Sequence, residues 1–238
     1  MVERVFKEFY ESVDAFFTDR WSGNLALHVG DDPIKVLKNR QTLADKENFY
    51  IDNLIYMDQT HSNNIQVIKD TFINKIENCD GIITNLTSVP LMVMVADCIP
   101  VLLYDSQKKV IGAVHAGRNG TFLEIVKKAV TLMIDEFDSN PKDIYAYLGA
   151  SIKSCCYEVG KDLATVCEKS FGEKYVLKRD GKFFLDLQTL NKDQLLSVGL
   201  EEEHIMISST CTCCDKNYFS YRREKVTGRF VGVIKLNA

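Results

Sequence analysis

The stretch Leu91-Met92-Val93-Met94-Val95-Ala96-Asp97-Cys98-Ile99-Pro100-Val101-Leu102-Leu103-Tyr104 sets two near-continuous apolar runs around one polar turn. Runs of this kind, without polar alternation, are what strands buried on both faces require. Residues 110–115 form a third such run, and it leads straight into a helical pattern. Thr121-Phe122-Leu123-Glu124 reads as a capping box, with Thr121 as N-cap and Glu124 as N3. Apolar residues at 122, 123, 126, 129, 130, 133 and 137 follow at helical spacing. Downstream, residues 144–148, 205–208 and 230–236 read as strands, and 161–170 and 186–199 as helices. Upstream, residues 3–17 suit a short helix or an amphipathic strand pair, residues 33–44 a helix, and 54–57, 65–68 and 82–84 strands. No repeat or Pro/Gly/Ser linker divides the chain. The expectation is a single domain over residues 1–238, with a layered α/β or α+β fold.

Composition narrows the function classes. The 238 residues suffice for a full hydrophobic core. A net charge of −4 argues against nucleic-acid or anionic-membrane partners, since no positive field exists to attract phosphate backbones. The start of the chain lacks the apolar core of a signal peptide. Its longest apolar stretch, residues 89–103, is broken by Pro90, Asp97 and Pro100, and is too short to span a bilayer. These features predict a cytoplasmic protein, whose eight cysteines are thiols, ligands or nucleophiles rather than disulfides.

Three strand-end segments carry candidate chemistry: Gln59-Thr60-His61, Ala96-Asp97-Cys98, and His115-Ala116-Gly117-Arg118-Asn119-Gly120-Thr121. Two imidazoles and a thiolate suit a three-ligand metal site with an open fourth position, the arrangement of a catalytic zinc. The same residues also suit a Cys-His nucleophile pair. The chain has only four histidines, His28, His61, His115 and His204, so two in such settings carry weight. Their wide separation requires the fold to exist before the site does, which suits catalysis better than a small structural module. Gln59 and His61 share a face on an extended backbone. Asp97, amid apolar neighbours, needs a partner and is read as a ligand orienter or general acid/base.

The turn after His115 has two glycines, which permit left-handed backbone and N–H groups aimed at an anion. Arg40, Gln59, Arg118, Arg222 and Arg223 are candidate substrate or phosphate ligands. Arg229 joins the locally basic Ser220-Tyr221-Arg222-Arg223 segment as a candidate for phosphate or carboxylate, because guanidinium forks match anionic oxygens. Cys211-Thr212-Cys213-Cys214 competes as a metal site but has no clear partner pair, which Cys155-Cys156 supplies only if the fold brings them together. Read as Cys-x-Cys-Cys it lacks a knuckle's two-residue gap, and plain buried thiols are the preferred reading.

Together these segments resemble the YfiH/YlmD family, long labelled multicopper polyphenol oxidase or laccase-domain proteins. The resemblance also runs through Val29-Gly30-Asp31-Asp32, Asn39-Arg40, Asp80-Gly81, Leu148-Gly149-Ala150-Ser151-Ile152, Tyr157-Glu158-Val159-Gly160, Ser220-Tyr221-Arg222-Arg223 and Thr227-Gly228-Arg229. Two departures are visible: Arg118-Asn119 stands where the family often has tryptophan and arginine, and Ala150 where proline is common. The resemblance implies a single-domain α+β fold, layered α/β/β with mixed sheets and related to cysteine-hydrolase-like proteins. It implies a zinc centre at His61, Cys98 and His115, with copper as the other metal to weigh. The implied activity is phosphorolysis of adenosine, inosine and methylthioadenosine, with adenosine deamination as a second reaction. The implied partners are purine nucleosides and phosphate, handled by a monomer or homodimer. Some members are described as peptidoglycan editing factors, so the alternative is a Cys98-dependent amidase acting on a misloaded wall precursor.

The laccase label conflicts with the composition. A blue copper plus a trinuclear cluster demands many more histidines than four. One His₂Cys copper with a weak methionine ligand is compatible with Met57, Met92 or Met94, but a single copper is not a four-electron laccase. The zinc cytidine-deaminase signature is absent.

Overall fold

The Ile99–Asp105 and Val110–Ala116 strands pair antiparallel, and every residue of both is buried. Their side chains alternate between two cores, as strand geometry dictates. Val101, Leu103, Val110 and Val114 enter one core, while Leu102, Tyr104, Ile111 and Ala113 enter the other. The apolar runs are thus continuous because the sheet is covered on both faces, although its central pairs are antiparallel rather than parallel. The structure, a computed structural model, describes residues 2–237.

Two six-stranded mixed sheets pack face to face. The first runs Val2–Val5, Val13–Thr18, Phe230–Leu236, Leu91–Val95, Ile55–Met57, Lys75–Ile76. The second runs Ile205–Ile207, Ile144–Leu148, Ile99–Asp105, Val110–Ala116, Gly81–Thr84, Ile65–Val67. Between them lie Phe17, Met57, Leu91, Val93, Tyr104 and Ile111. Helices Ile125–Phe137 and Leu187–Ser197 close the outer face of the second sheet through Val126, Val130, Met133, Leu190 and Leu195. This is the expected α+β fold, layered α/β/β with mixed sheets. One element adds to it: helix Pro33–Lys46 brings Leu43 to the outer face of the first sheet, against Met92 and Val233. A small three-stranded sheet, Glu158–Val159, Lys182–Leu185, Val176–Arg179, stands at the side. The amino-terminal segment 3–17 resolves as a strand pair. No helix among the described residues is long and apolar enough to cross a membrane.

The expected capping box does not form. Thr121 lies inside a short helix, Arg118–Phe122, that Gly117 begins. Its hydroxyl is buried and accepts a hydrogen bond from Asn191 Nδ2 at 2.9 Å. The next helix starts at Ile125 after Glu124, which is left-handed at φ 55° and makes no side-chain cap.

Candidate metal centre

Two chain crossings between the sheets build the site. Ala96-Asp97-Cys98 carries the chain from the end of Leu91–Val95 in the first sheet to Ile99–Asp105 in the second. Residues 58–64 make the corresponding crossing from Ile55–Met57 to Ile65–Val67 and carry His61. His115, near the end of its strand, pairs with Pro100 and so lies beside Cys98. The ligand atoms of His61, Cys98 and His115 all fall within 4.8 Å of one another. Cys98 Sγ is 3.7 Å from His61 Nε2, and the two imidazoles meet edge to face at 4.8 Å between centroids.

Asp80 organises this triad, and the sequence reading did not single it out. It is fully buried. Its carboxylate accepts from His115 Nδ1 at 2.7 Å, from the His61 and Ser62 N–H groups at 3.0 and 2.7 Å, and from Ser62 Oγ at 2.7 Å. Such a carboxylate behind a ligand histidine fixes its tautomer and ring orientation, leaving Nε2 for a metal. These donors also keep Asp80 ionised, far below the usual carboxylate range although burial opposes this. Burial on its own would raise the Cys98 thiol; His115 and His61 outweigh it and bring it down to about 6. Burial likewise opposes charge on His115, but the Cys98 thiolate and the Asp80 hydrogen bond raise it to about 9. A thiolate facing imidazoles is a donor set that a divalent soft cation satisfies in place of protons.

Gly117 is required by space rather than by backbone freedom. Its φ is −72°, so the expected left-handed glycine turn is not there, and Gly120 sits within the short helix. A Cβ on Gly117 would stand 2.9 Å from His61 Cδ2 and 3.2 Å from Cys98 Sγ. The positive φ values fall instead on two site residues, His61 at 60° and Asp97 at 89°. Residues held this way cost about 1–3 kcal/mol and persist where surroundings impose them. The Asp97 carboxylate accepts from Thr212 Oγ1 at 2.7 Å and from the Arg222 N–H at 2.6 Å, and its carbonyl accepts from Ile152 N–H.

A cavity of about 490 Å³ opens over the triad. Gln59 lines it, but its amide grips the Met94 backbone in both directions, donating at 2.7 Å and accepting at 2.9 Å. Among the arginines named from sequence, Arg222 and Arg229 line this cavity, and the Arg222 guanidinium donates to the Cys156 and Glu158 carbonyls. Arg118 borders a smaller adjoining recess with Cys98 and Tyr157. Arg40 is buried elsewhere, donating to the Leu25 carbonyl with its guanidinium 4.5 Å over the Tyr56 ring. Arg223 is spent on the Thr212, Cys213 and Tyr218 carbonyls. The sequence reading missed His28 and Lys225 as wall residues, together with the aromatic pair Tyr157 and Tyr221. Burial and the neighbouring Arg229 charge hold His28 below its ordinary value.

Residues 13–237 match the family model described as multi-copper polyphenol oxidoreductase laccase. A purine nucleoside phosphorylase of Corynebacterium glutamicum is 40% identical over 219 residues, covering 90% of this chain and 87% of that protein. Adenosine deaminase RL5, from an unknown prokaryotic organism, is 33% identical over 254 residues, 97% of each chain. The crystal structure of hypothetical protein YfiH from Bacillus licheniformis superposes with a TM-score of 0.90 at 30% identity, covering 98% of this chain and 96% of that one. With its His61, Cys98 and His115 cluster, its two-sheet layering and near full-length similarity all in agreement, the chain belongs to the laccase-like YfiH/YlmD family.

Proposed function

We propose that this chain is a zinc-dependent purine nucleoside phosphorylase acting on adenosine, inosine and methylthioadenosine, with adenosine deamination as a second activity. One observation carries the reading: the triad His61, Cys98, His115 forms the floor of a cavity whose wall is cationic and aromatic. Its volume lies within the usual range for small-molecule sites, about 300–1,000 Å³. His61 Nε2, Cys98 Sγ and His115 would hold the ion, and a zinc bound there would supply a Lewis acid. Lys225, Arg222 and Arg229 supply positive charge for phosphate against the ribose C1′. Arg229 contacts the Thr227 and Gly228 carbonyls through Nη1 alone among the described residues, which leaves its other guanidinium nitrogens for an anion. Tyr157 and Tyr221 offer ring faces to a purine. Asp97, held by Thr212 and the Arg222 N–H, fits the orienting half of its expected role by fixing the turn that presents Cys98.

Incubating purified protein with adenosine, with and without phosphate, tests this by chromatography. Phosphate-dependent adenine marks phosphorolysis and inosine marks deamination; neither product above a metal-stripped control would sink the proposal.

A second reading keeps Cys98 as the nucleophile of an amidase, and the 3.7 Å approach of its Sγ to His61 Nε2 favours it. Under that reading chelators leave activity intact while Cys98→Ser abolishes it. Of the methionines weighed for the copper alternative, Met57 and Met92 lie in the apolar cores, and Met94, which borders the cavity, has its Sδ 3.6 Å from Arg40 Nη2.

A further inference from the structure

Among the cysteines outside the triad, Cys79 and Cys167 are single buried thiols in the two cores, where they pack as small hydrophobes, and Cys213 is half-buried. Cys155, Cys156, Cys211 and Cys214 behave differently: their sulfurs all lie within 4.8 Å of one another, with Cys155 and Cys214 exposed. The sequence expectation of plain buried thiols is therefore corrected. Cys211 and Cys214 are themselves separated by two residues, the zinc-knuckle gap, once Cys213 is read as a spacer. The fold supplies the second pair. Backbone pairing of Ser151 with Cys211, and the Thr212 N–H donating to the Ser151 carbonyl at 3.1 Å, hold the two loops side by side.

We propose that Cys155, Cys156, Cys211 and Cys214 form a second, structural metal site that binds zinc through four thiolates. Four sulfurs about 2.3 Å from a tetrahedral zinc stand about 3.8 Å from each other. The separations Cys155–Cys156, Cys155–Cys214 and Cys156–Cys214 are 3.8, 3.7 and 3.3 Å. All three are far longer than the ~2.05 Å of a disulfide. The first two match the edge of that tetrahedron, the third is shorter, and Cys211 Sγ lies within 4.8 Å of the others. The surroundings fit a ligand set that keeps excess negative charge after a divalent ion binds. The Lys153 N–H points at Cys211 Sγ at 3.4 Å, the backbone-to-sulfur bond that orients a thiolate ligand. Arg179 donates to the Ser154 and Cys155 carbonyls, Arg222 to the Cys156 carbonyl, and Arg223 to the Cys213 carbonyl. Three guanidinium groups therefore surround the loops that carry the sulfurs.

The site joins two loops that flank the cavity. Cys156 precedes Tyr157, and Cys211 precedes Thr212, whose hydroxyl holds Asp97. An ion there braces the cavity wall without touching substrate.

Metal analysis of the reduced, full-length protein decides the matter. The His61→Ala/His115→Ala protein, with two of its three triad ligands removed, retains one equivalent of zinc, and adding Cys156→Ser/Cys214→Ser removes it. Because the cysteine variants also test the fold, wild-type protein loaded with cobalt provides an independent readout. Four-thiolate cobalt gives intense thiolate-to-metal charge-transfer absorption that survives in the histidine variant. Zinc that persists undiminished in Cys156→Ser/Cys214→Ser, cobalt spectra without the four-thiolate signature, or bound iron in place of zinc each overturns the proposal. So does a Cys156–Cys214 disulfide found by mass spectrometry in protein kept under reductant.

Discussion

His115 Nδ1 lies 2.7 Å from Asp80 Oδ1, and that same oxygen accepts the backbone N–H of His61 at 3.0 Å. One buried carboxylate thus orients the His115 imidazole and fixes the backbone that carries His61. Asp80→Asn keeps the volume but presents an amide where His115 needs an acceptor. Removing such a partner typically costs about 10–100-fold in metal affinity. Competition with a chromophoric chelator measures it, and an unchanged affinity would show that the carboxylate does not orient the ligands.

Gly117→Ala separates folding from chemistry. A φ of −72° suits alanine, so the short helix still starts and thermal stability stays close to wild type. The added methyl, 2.9 Å from His61 Cδ2, displaces an imidazole, and a misplacement of about 1 Å is worth roughly 10²-fold in rate. Steady-state kinetics beside a thermal melt reads both.

The arginines divide by environment. Arg229→Gln loses a charged anion ligand, worth about 1.5–3 kcal/mol, so the KM for phosphate rises roughly tenfold or more with the fold intact. Arg223→Gln instead unties the Thr212, Cys213 and Tyr218 carbonyls and lowers the melting temperature. A phosphate KM raised by Arg223→Gln at unchanged stability would reverse the two assignments.

Alkali should unfold the protein through its tyrosines. Burial pushes Tyr218 up to about 12, and burial with the hydrogen bond to Glu3 moves Tyr147 upward as well. Both groups hold their protons more tightly when folded, so their contribution is complete below the unfolded tyrosine value of about 10. It is lost as pH rises from there through the folded values. Tyr147→Phe removes the 2.6 Å bond that ties Glu3 of the first sheet to the second. It lowers stability by about 1–2 kcal/mol at pH 8. It also flattens the fall above pH 10, measured by urea midpoints across pH.

The strands around the site were legible because their apolar runs reflect a sheet covered on both faces. The triad was legible because scarce residue types stand at the ends of those runs. Asp80 was not: before Gly81 it looks like any turn aspartate, and its partners are 18, 19 and 35 residues away. Thr121 misled for the same reason. Its neighbours spell a cap, while the bond that claims its hydroxyl comes from Asn191, 70 residues on. The four-cysteine cluster escaped because Cys155 and Cys214 are 59 residues apart and only paired loops bring them together. Arginine chemistry was readable, but whether a guanidinium faces a cavity or a carbonyl is a tertiary fact.

The crossing at Ala96-Asp97-Cys98 also restricts how this chain can vary. Strand side chains alternate with period two, so a residue inserted between Val95 and Ile99 and carried into the following strand, rather than looped out, would exchange its two sets. Leu102 and Tyr104 would turn toward the helices, Val101 and Leu103 toward the facing sheet, and Cys98 would leave the triad. An insertion carried into the strand is therefore expected to disrupt fold and site together. The length of this crossing is thus constrained alongside the identities of Asp97 and Cys98.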